Sequence, residues 1–131
     1  MDYKNLFEKF DGEGKLLLPD TEIAFHAIPW SKHPAFEGVE LKHIIPSEKT
    51  GGQFSYHLVR IAPNKKIGNH IHEKQLETHE VISGVGECVN DGVTLPYEAG
   101  VISIFPIGVP HEVIAGEDGL YLFAKFMPAL C

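Results

Sequence analysis

Two short stretches, far apart in the chain, carry side chains that can ligate first-row metals. One site can use both only if the fold brings distant segments together. The first reads His70-Ile71-His72, followed by Glu77 and Gly84; the second reads Gly100, Pro106 and His111. In a strand, residues i and i+2 share a face and each residue rises about 3.3 Å, so the spacing predicts two imidazoles side by side at His70 and His72. Glu77 follows after a short connection, ahead of the apolar pair Val81-Ile82. His111 comes just after a proline-containing turn and opens another apolar stretch. Such ligands meet only where their strands are neighbours, which predicts a metal-binding β-barrel.

The rest of the chain supports that architecture. Residues 3–10 place Leu6, Phe7 and Phe10 at the spacing of one short amphipathic helix, and the cluster Asp11-Gly12-Glu13-Gly14 is expected to end it. Beyond it, apolar runs of strand length alternate with turn signals: 16–18, 23–28, 39–45, 53–62, the His70 segment, 78–83, 86–89, 101–105, 112–115 and 120–126. Asn90-Asp91-Gly92 is a hairpin signal, because these residues accept the positive φ of primed turns. Gly84-Val85-Gly86 reads as a turn between two strands, and no helix follows that would make it a phosphate loop. Many short strands with regular turns specify an all-β sandwich or closed barrel.

Both stations resemble the motifs of the cupin family. Its first motif, G-x5-H-x-H-x4-E-x6-G, is matched by His70, His72, Glu77 and Gly84; its second, G-x5-P-x4-H-x3-N, is matched by Gly100, Pro106 and His111. Asn64 stands in place of the first glycine and Ala115 in place of the final asparagine. Asn tolerates positive φ better than other non-glycine residues, so Asn64 after Pro63 is expected to make the same turn. The resemblance runs over roughly residues 38–127. It implies a double-stranded β-helix or jelly roll, with residues 1–37 as an arm packed on a barrel of residues 38–131. It also implies one divalent metal held by His70, His72, Glu77 and His111, and a small organic molecule as substrate or ligand.

Alternation along the strands assigns faces. With Glu77 inward, His79 and Val81 are inward too, while Thr78 and Glu80 face out. In residues 53–62, Arg60 marks the outer side, which places Ser55, His57, Val59 and Ile61 inside and Phe54, Tyr56 and Leu58 outside. His57 and His79 are therefore expected pocket residues and the candidate catalytic groups, and Phe105 is counted with them as a pocket residue. For His79 a hydrogen-bonded barrel histidine is the competing reading, and for Phe105 a core or interface position. His26, His33 and His43 have no ligand spacing and read as solvated or packing residues. The aromatic outer face of 53–62 needs a cover. A homodimer with the N-terminal segment contributing is expected, against the alternative that residues 1–30 of the same chain do the covering.

Charge and cysteine content limit the remaining classes. A net charge of −7 disfavours nucleic-acid binding, which normally leaves a basic patch. No apolar run is long enough to span a membrane. Met1-Asp2-Tyr3-Lys4 lacks the features of a signal peptide, so a cytoplasmic location is expected. Cys88 and Cys131 form no Cys-x-x-Cys pair and indicate neither a disulfide framework nor a thiolate zinc site. Three His and one Glu would saturate tetrahedral zinc, whereas octahedral Fe, Mn, Ni or Co would keep two positions open. That predicts dioxygenase-like or isomerase/lyase-like chemistry, with a non-catalytic, metal-dependent binding or sensor module as the alternative.

Overall fold

The computed structural model describes residues 3–131. Its N-terminal segment forms α1 (Tyr3–Glu13) and a hairpin of β1 (Lys15–Leu17) and β2 (Glu22–Ala24), followed by a 3-10 turn over Phe25–Ala27. The helix runs through Asp11-Gly12-Glu13 instead of stopping before them. Its last turn is held from outside: the Asp11 carboxylate accepts hydrogen bonds from the Lys42 ammonium and, at 3.2 Å, the Trp30 indole. The expected strand over 23–28 is cut short at Ala24, because the 3-10 turn swings Phe25 into a buried position.

Eight further strands follow: β3 (Ser31–Lys32), β4 (Val39–Ile45), β5 (Ser55–Ile61), β6 (Lys66–His70), β7 (Leu76–Asn90), β8 (Val93–Glu98), β9 (Ile102–Phe105) and β10 (His111–Met127). They pair in the order β3-β4-β5-β10-β7-β8, with β6 also on β10 and β9 also on β7. The first half of β10 lies between β6 and the end of β7, and its second half between β5 and the start of β7. Two long strands thus bend through both layers, giving the double-sheeted jelly roll. β3 already pairs with β4, so the barrel sheet begins at Ser31, ahead of the boundary expected after residue 37.

Gly84-Val85-Gly86 is not a turn. It lies inside β7, and 78–83 and 86–89 are one strand. The irregularity belongs to the partner: on β10, Ala115 faces Gly86 and Leu120 faces Gly84, so residues 116–119 bulge opposite a single residue. Gly84 has φ +84, and a Cβ there would lie 2.2 Å from the Gly119 carbonyl oxygen, so only glycine allows the two strands this approach. Asn64 takes φ 61, as expected of a glycine substitute, and Asp91 with Gly92 forms the predicted two-residue hairpin loop with φ 51 and 81.

Two apolar clusters lie on opposite faces of the same strands. Inside the barrel are Val59, Ile61, Val81, Val113, Leu120, Leu122 and Phe126 with their neighbours. Outside, Phe7 and Phe25 cover Leu58, Ile44 and Phe123, with Tyr56, Trp30 and Leu16 packed at the edge. The chain's own N-terminal segment therefore covers the middle of the outer face of β5 and buries Leu58 fully without a second subunit, while Tyr56 and Phe54 stay half-buried. A dimer across that face is not needed to bury Leu58.

Candidate metal centre

β6 and β10 pair so that His70, the last residue of one, is opposite His111, the first of the other. Glu77, near the start of β7, points to the same interior. His72 reaches the group from beyond the end of β6, so the shared strand face predicted for His70 and His72 does not account for their proximity. The chain turns out of the strand at Ile71, which is half exposed, and His72 folds back. One ligand atom from each of His70, His72, Glu77 and His111 lies within 4.8 Å of all the others.

Proton positions decide whether this cluster suits a cation. His70 Nδ1 is 2.8 Å from the Gly68 carbonyl oxygen and His111 Nδ1 is 3.0 Å from that of Val109. A carbonyl can only accept, so both Nδ1 atoms carry the proton and a neutral ring presents a bare Nε2. Yet His70 Nε2 stands 3.2 Å from His72 Nε2, and His111 Nε2 stands 2.9 Å from Glu77 Oε1. Among the described residues no buried side-chain nitrogen or oxygen lacks a partner: a His72 ring with its proton on Nε2 donates to His70, but the bare His111 Nε2 faces a carboxylate oxygen that also only accepts. That contact calls for an added proton or a cation between the two atoms. The backbone carbonyls behind two of the rings are the partners that ligating histidines normally have.

Burial alone would raise the Glu77 carboxyl. With protons on the facing ring nitrogens, the attraction of His79 and the hydrogen bonds from His111, His72 and His79 outweigh it and hold the group well below the usual carboxylate range. His79 lies two residues further along β7, with Nε2 2.9 Å from Glu77 Oε2 and Nδ1 3.0 Å from the Tyr97 hydroxyl. Donation from His79 Nε2 leaves Nδ1 to accept the Tyr97 O–H. This chain fixes one carboxylate oxygen and turns the other, Oε1, to His111 and His72. His79 thus positions Glu77.

Residues 57–123 match the family model described as a cupin domain, just over half of the chain. The protein is a cupin. Solved structures give the same fold. A predicted oxalate decarboxylase from Thermotoga maritima aligns at TM-score 0.72 and 21% identity, over 79% of this chain and 95% of that one. The polyketide cyclase RemF from Streptomyces resistomycificus aligns at 0.70 and 19%, over 82% and 78%. A cupin-superfamily sugar phosphate isomerase from Silicibacter pomeroyi aligns at 0.68 and 22%, over 82% and 75%. No curated protein matches the sequence.

This cupin has a cavity of about 290 Å³ against the cluster, bordered by His70, His72, Glu77 and His79. Much of its remaining wall is apolar, from Leu41, Val59, Ile67, Ala124, Phe126 and Leu130. Of the three expected pocket residues, only His79 reaches it. His57 points inward as expected but is fully buried against His43 and Ser55, and Phe105 lies behind His111, its ring stacked at 4.1 Å. His57 was placed by inward facing alone, which says nothing about depth. Conversely, His33 and His43, read as solvated or packing residues, line the cavity. Neither belongs to a metal motif; His43 lies on β4 and His33 just past the end of β3, and the pairing of β3, β4 and β5 brings them there. No helix among the described residues is long and apolar enough to cross a membrane.

Proposed function

We propose that His70, His72, Glu77 and His111 hold one divalent first-row metal and that the protein is a metal-dependent enzyme acting on a small oxygen-bearing organic molecule. The observation that carries this reading is the convergence of three imidazoles and a carboxylate at the wall of a ligand-sized cavity. Bound there, the metal would supply a Lewis acid with open positions for substrate oxygens or dioxygen. The protein's own groups divide the remaining work. His79 and Tyr97 hold Glu77 in register, and the apolar wall excludes water. His33 Nδ1 accepts the Ala35 N–H at 3.0 Å, so its ring proton sits on Nε2, and His33 offers the cavity a hydrogen-bond donor. Lys32 adds a cation at the rim. These donors favour a carboxylate or carbonyl compound.

Two reaction types fit: a dioxygenase-like reaction and an isomerase/lyase-like one. The second needs a protein base, and the two candidates from the sequence are engaged elsewhere: His79 with Glu77 and Tyr97, His57 with His43 and Ser55. Protein loaded with Fe(II), Mn(II), Co(II), Ni(II) or Zn(II) should be screened with small organic acids and diketones, following oxygen uptake and product formation. Oxygen consumption identifies the first type and product without oxygen the second. Saturable ligand binding without turnover would replace the enzyme by a binding or sensor cupin. A homodimer belongs to the same reading, supported by resemblance to cupins that pair and not by an uncovered face. Light scattering that returned the 14.5 kDa of a single chain would remove it.

A further inference from the structure

A second cluster of ligand-type side chains lies at the other strands of the same cavity. His43 on β4 faces His57 on β5 across the sheet, with their Nδ1 atoms 2.8 Å apart. The Cys131 thiol stands beside them, and one ligand atom from each of the three residues lies within 4.8 Å of the other two. His43 and Cys131 line the cavity, so an ion has a route in, while His57 is fully buried behind them.

The surroundings are built. His57 Nε2 lies 2.8 Å from the Ser55 hydroxyl, which fixes the ring through the nitrogen that faces away from His43. The segment carrying the thiol is pinned at successive residues. The Ala129 N–H donates to the Gly52 carbonyl, the Leu130 N–H to Ser55 Oγ at 2.8 Å, and the Cys131 carbonyl accepts the Ser47 N–H at 2.7 Å. Ser55 therefore ties one imidazole and the thiol-bearing segment to the same point. None of these residues belongs to the two motifs that carry the first cluster.

We propose that His43 Nδ1, His57 Nδ1 and Cys131 Sγ form a second, softer metal site, suited to zinc(II), with water as its fourth ligand. Two nitrogens and one thiolate match the donor set that tetrahedral zinc accepts, with one position open. Zinc–nitrogen bonds of about 2.0–2.1 Å at tetrahedral angles set the two nitrogens about 3.3 Å apart, so the rings must separate by roughly half an ångström. The proton shared between the facing nitrogens moves to a far ring nitrogen; for His57 that is Nε2, with Ser55 Oγ ready to accept it. The thiol releases its proton to solvent as the sulfur–metal bond forms. The first cluster, with three nitrogens and a carboxylate, has no thiolate and would hold harder ions, so one cavity would carry two metal preferences.

Cobalt(II) is the probe, because thiolate ligation gives it a charge-transfer absorption that nitrogen and oxygen ligands do not. The titration uses the His70→Ala, His72→Ala protein with a non-chelating reductant, so its result is independent of the first site. The expected result is one cobalt per chain with a near-ultraviolet thiolate band. Adding Cys131→Ser abolishes the band, and adding His43→Gln weakens binding about tenfold or more. Both added changes lie at residues that are not fully buried, and circular dichroism verifies the fold. Absence of the thiolate band, or a band and affinity that survive His43→Gln unchanged, would overturn the proposal.

Discussion

Strands β5 and β10 present two kinds of buried surface back to back. Leu58 and Phe123 face outward into a layer closed by Phe7 and Phe25, while His57 and Ala124 face inward toward the cavity side. The outer layer is self-sufficient, because apolar groups gain simply by leaving water, and the N-terminal segment supplies the cover. The interior pole is polar: three imidazoles and a carboxylate close on one another and are held by hydrogen bonds and, as proposed, by a metal. One pole is built for packing and the other for polar ligation, so changes in the two should affect different observables.

The largest separation is expected from Phe123→Ala, which empties the outer layer and should cost about 3–5 kcal/mol of stability in urea unfolding. The folded fraction should still bind metal at the first cluster; loss of both together would merge the two regions. Acid should weaken the interior side next. Burial, with His43 adding to it and Glu77 opposing, brings the His57 imidazole down from 6.5 to about 4. Below the unfolded value the unfolded chain takes up a proton that the folded protein does not. Stability of the metal-free protein should therefore fall as pH drops from 6.5 to about 4, by on the order of 3 kcal/mol. His57→Gln should flatten that part of the profile.

Chelation should be milder still. At metal concentrations a hundredfold above Kd, binding adds about 2.7 kcal/mol, and its removal should lower the melting temperature while leaving a folded barrel. Complete unfolding by chelator at room temperature would mean that the apolar cores cannot hold the fold alone. The smallest effect is expected at His79. His79→Ala frees Glu77 from its hydrogen-bonded chain and should weaken metal binding by about 10–100-fold, with the same stoichiometry, in a competition titration.

The all-β barrel and the four-residue cluster were legible because each rests on a local signal, strand-length apolar runs between turns for the one and ligand spacing for the other; the jelly roll itself came from the resemblance to cupins. Asn64, in the left-handed region, shows the same legibility at a single backbone position. What the sequence did not reveal depends on pairing across the chain. Gly84 and Gly86 announced a break, yet the irregularity lies in residues 116–119 of the partner strand. His72 was assigned to a strand that ends two residues before it. His33 and His43 came to the cavity through strand neighbours that no spacing rule encodes, and the cover over Leu58 came from residues that could equally have belonged to a second copy.

The most direct test of the account is an anomalous-scattering map from crystals of the cobalt-loaded protein, recorded at the cobalt edge. The expected result is a peak enclosed by Nε2 of His70, His72 and His111 and a carboxylate oxygen of Glu77. A fully loaded crystal with no density between those four side chains would contradict it.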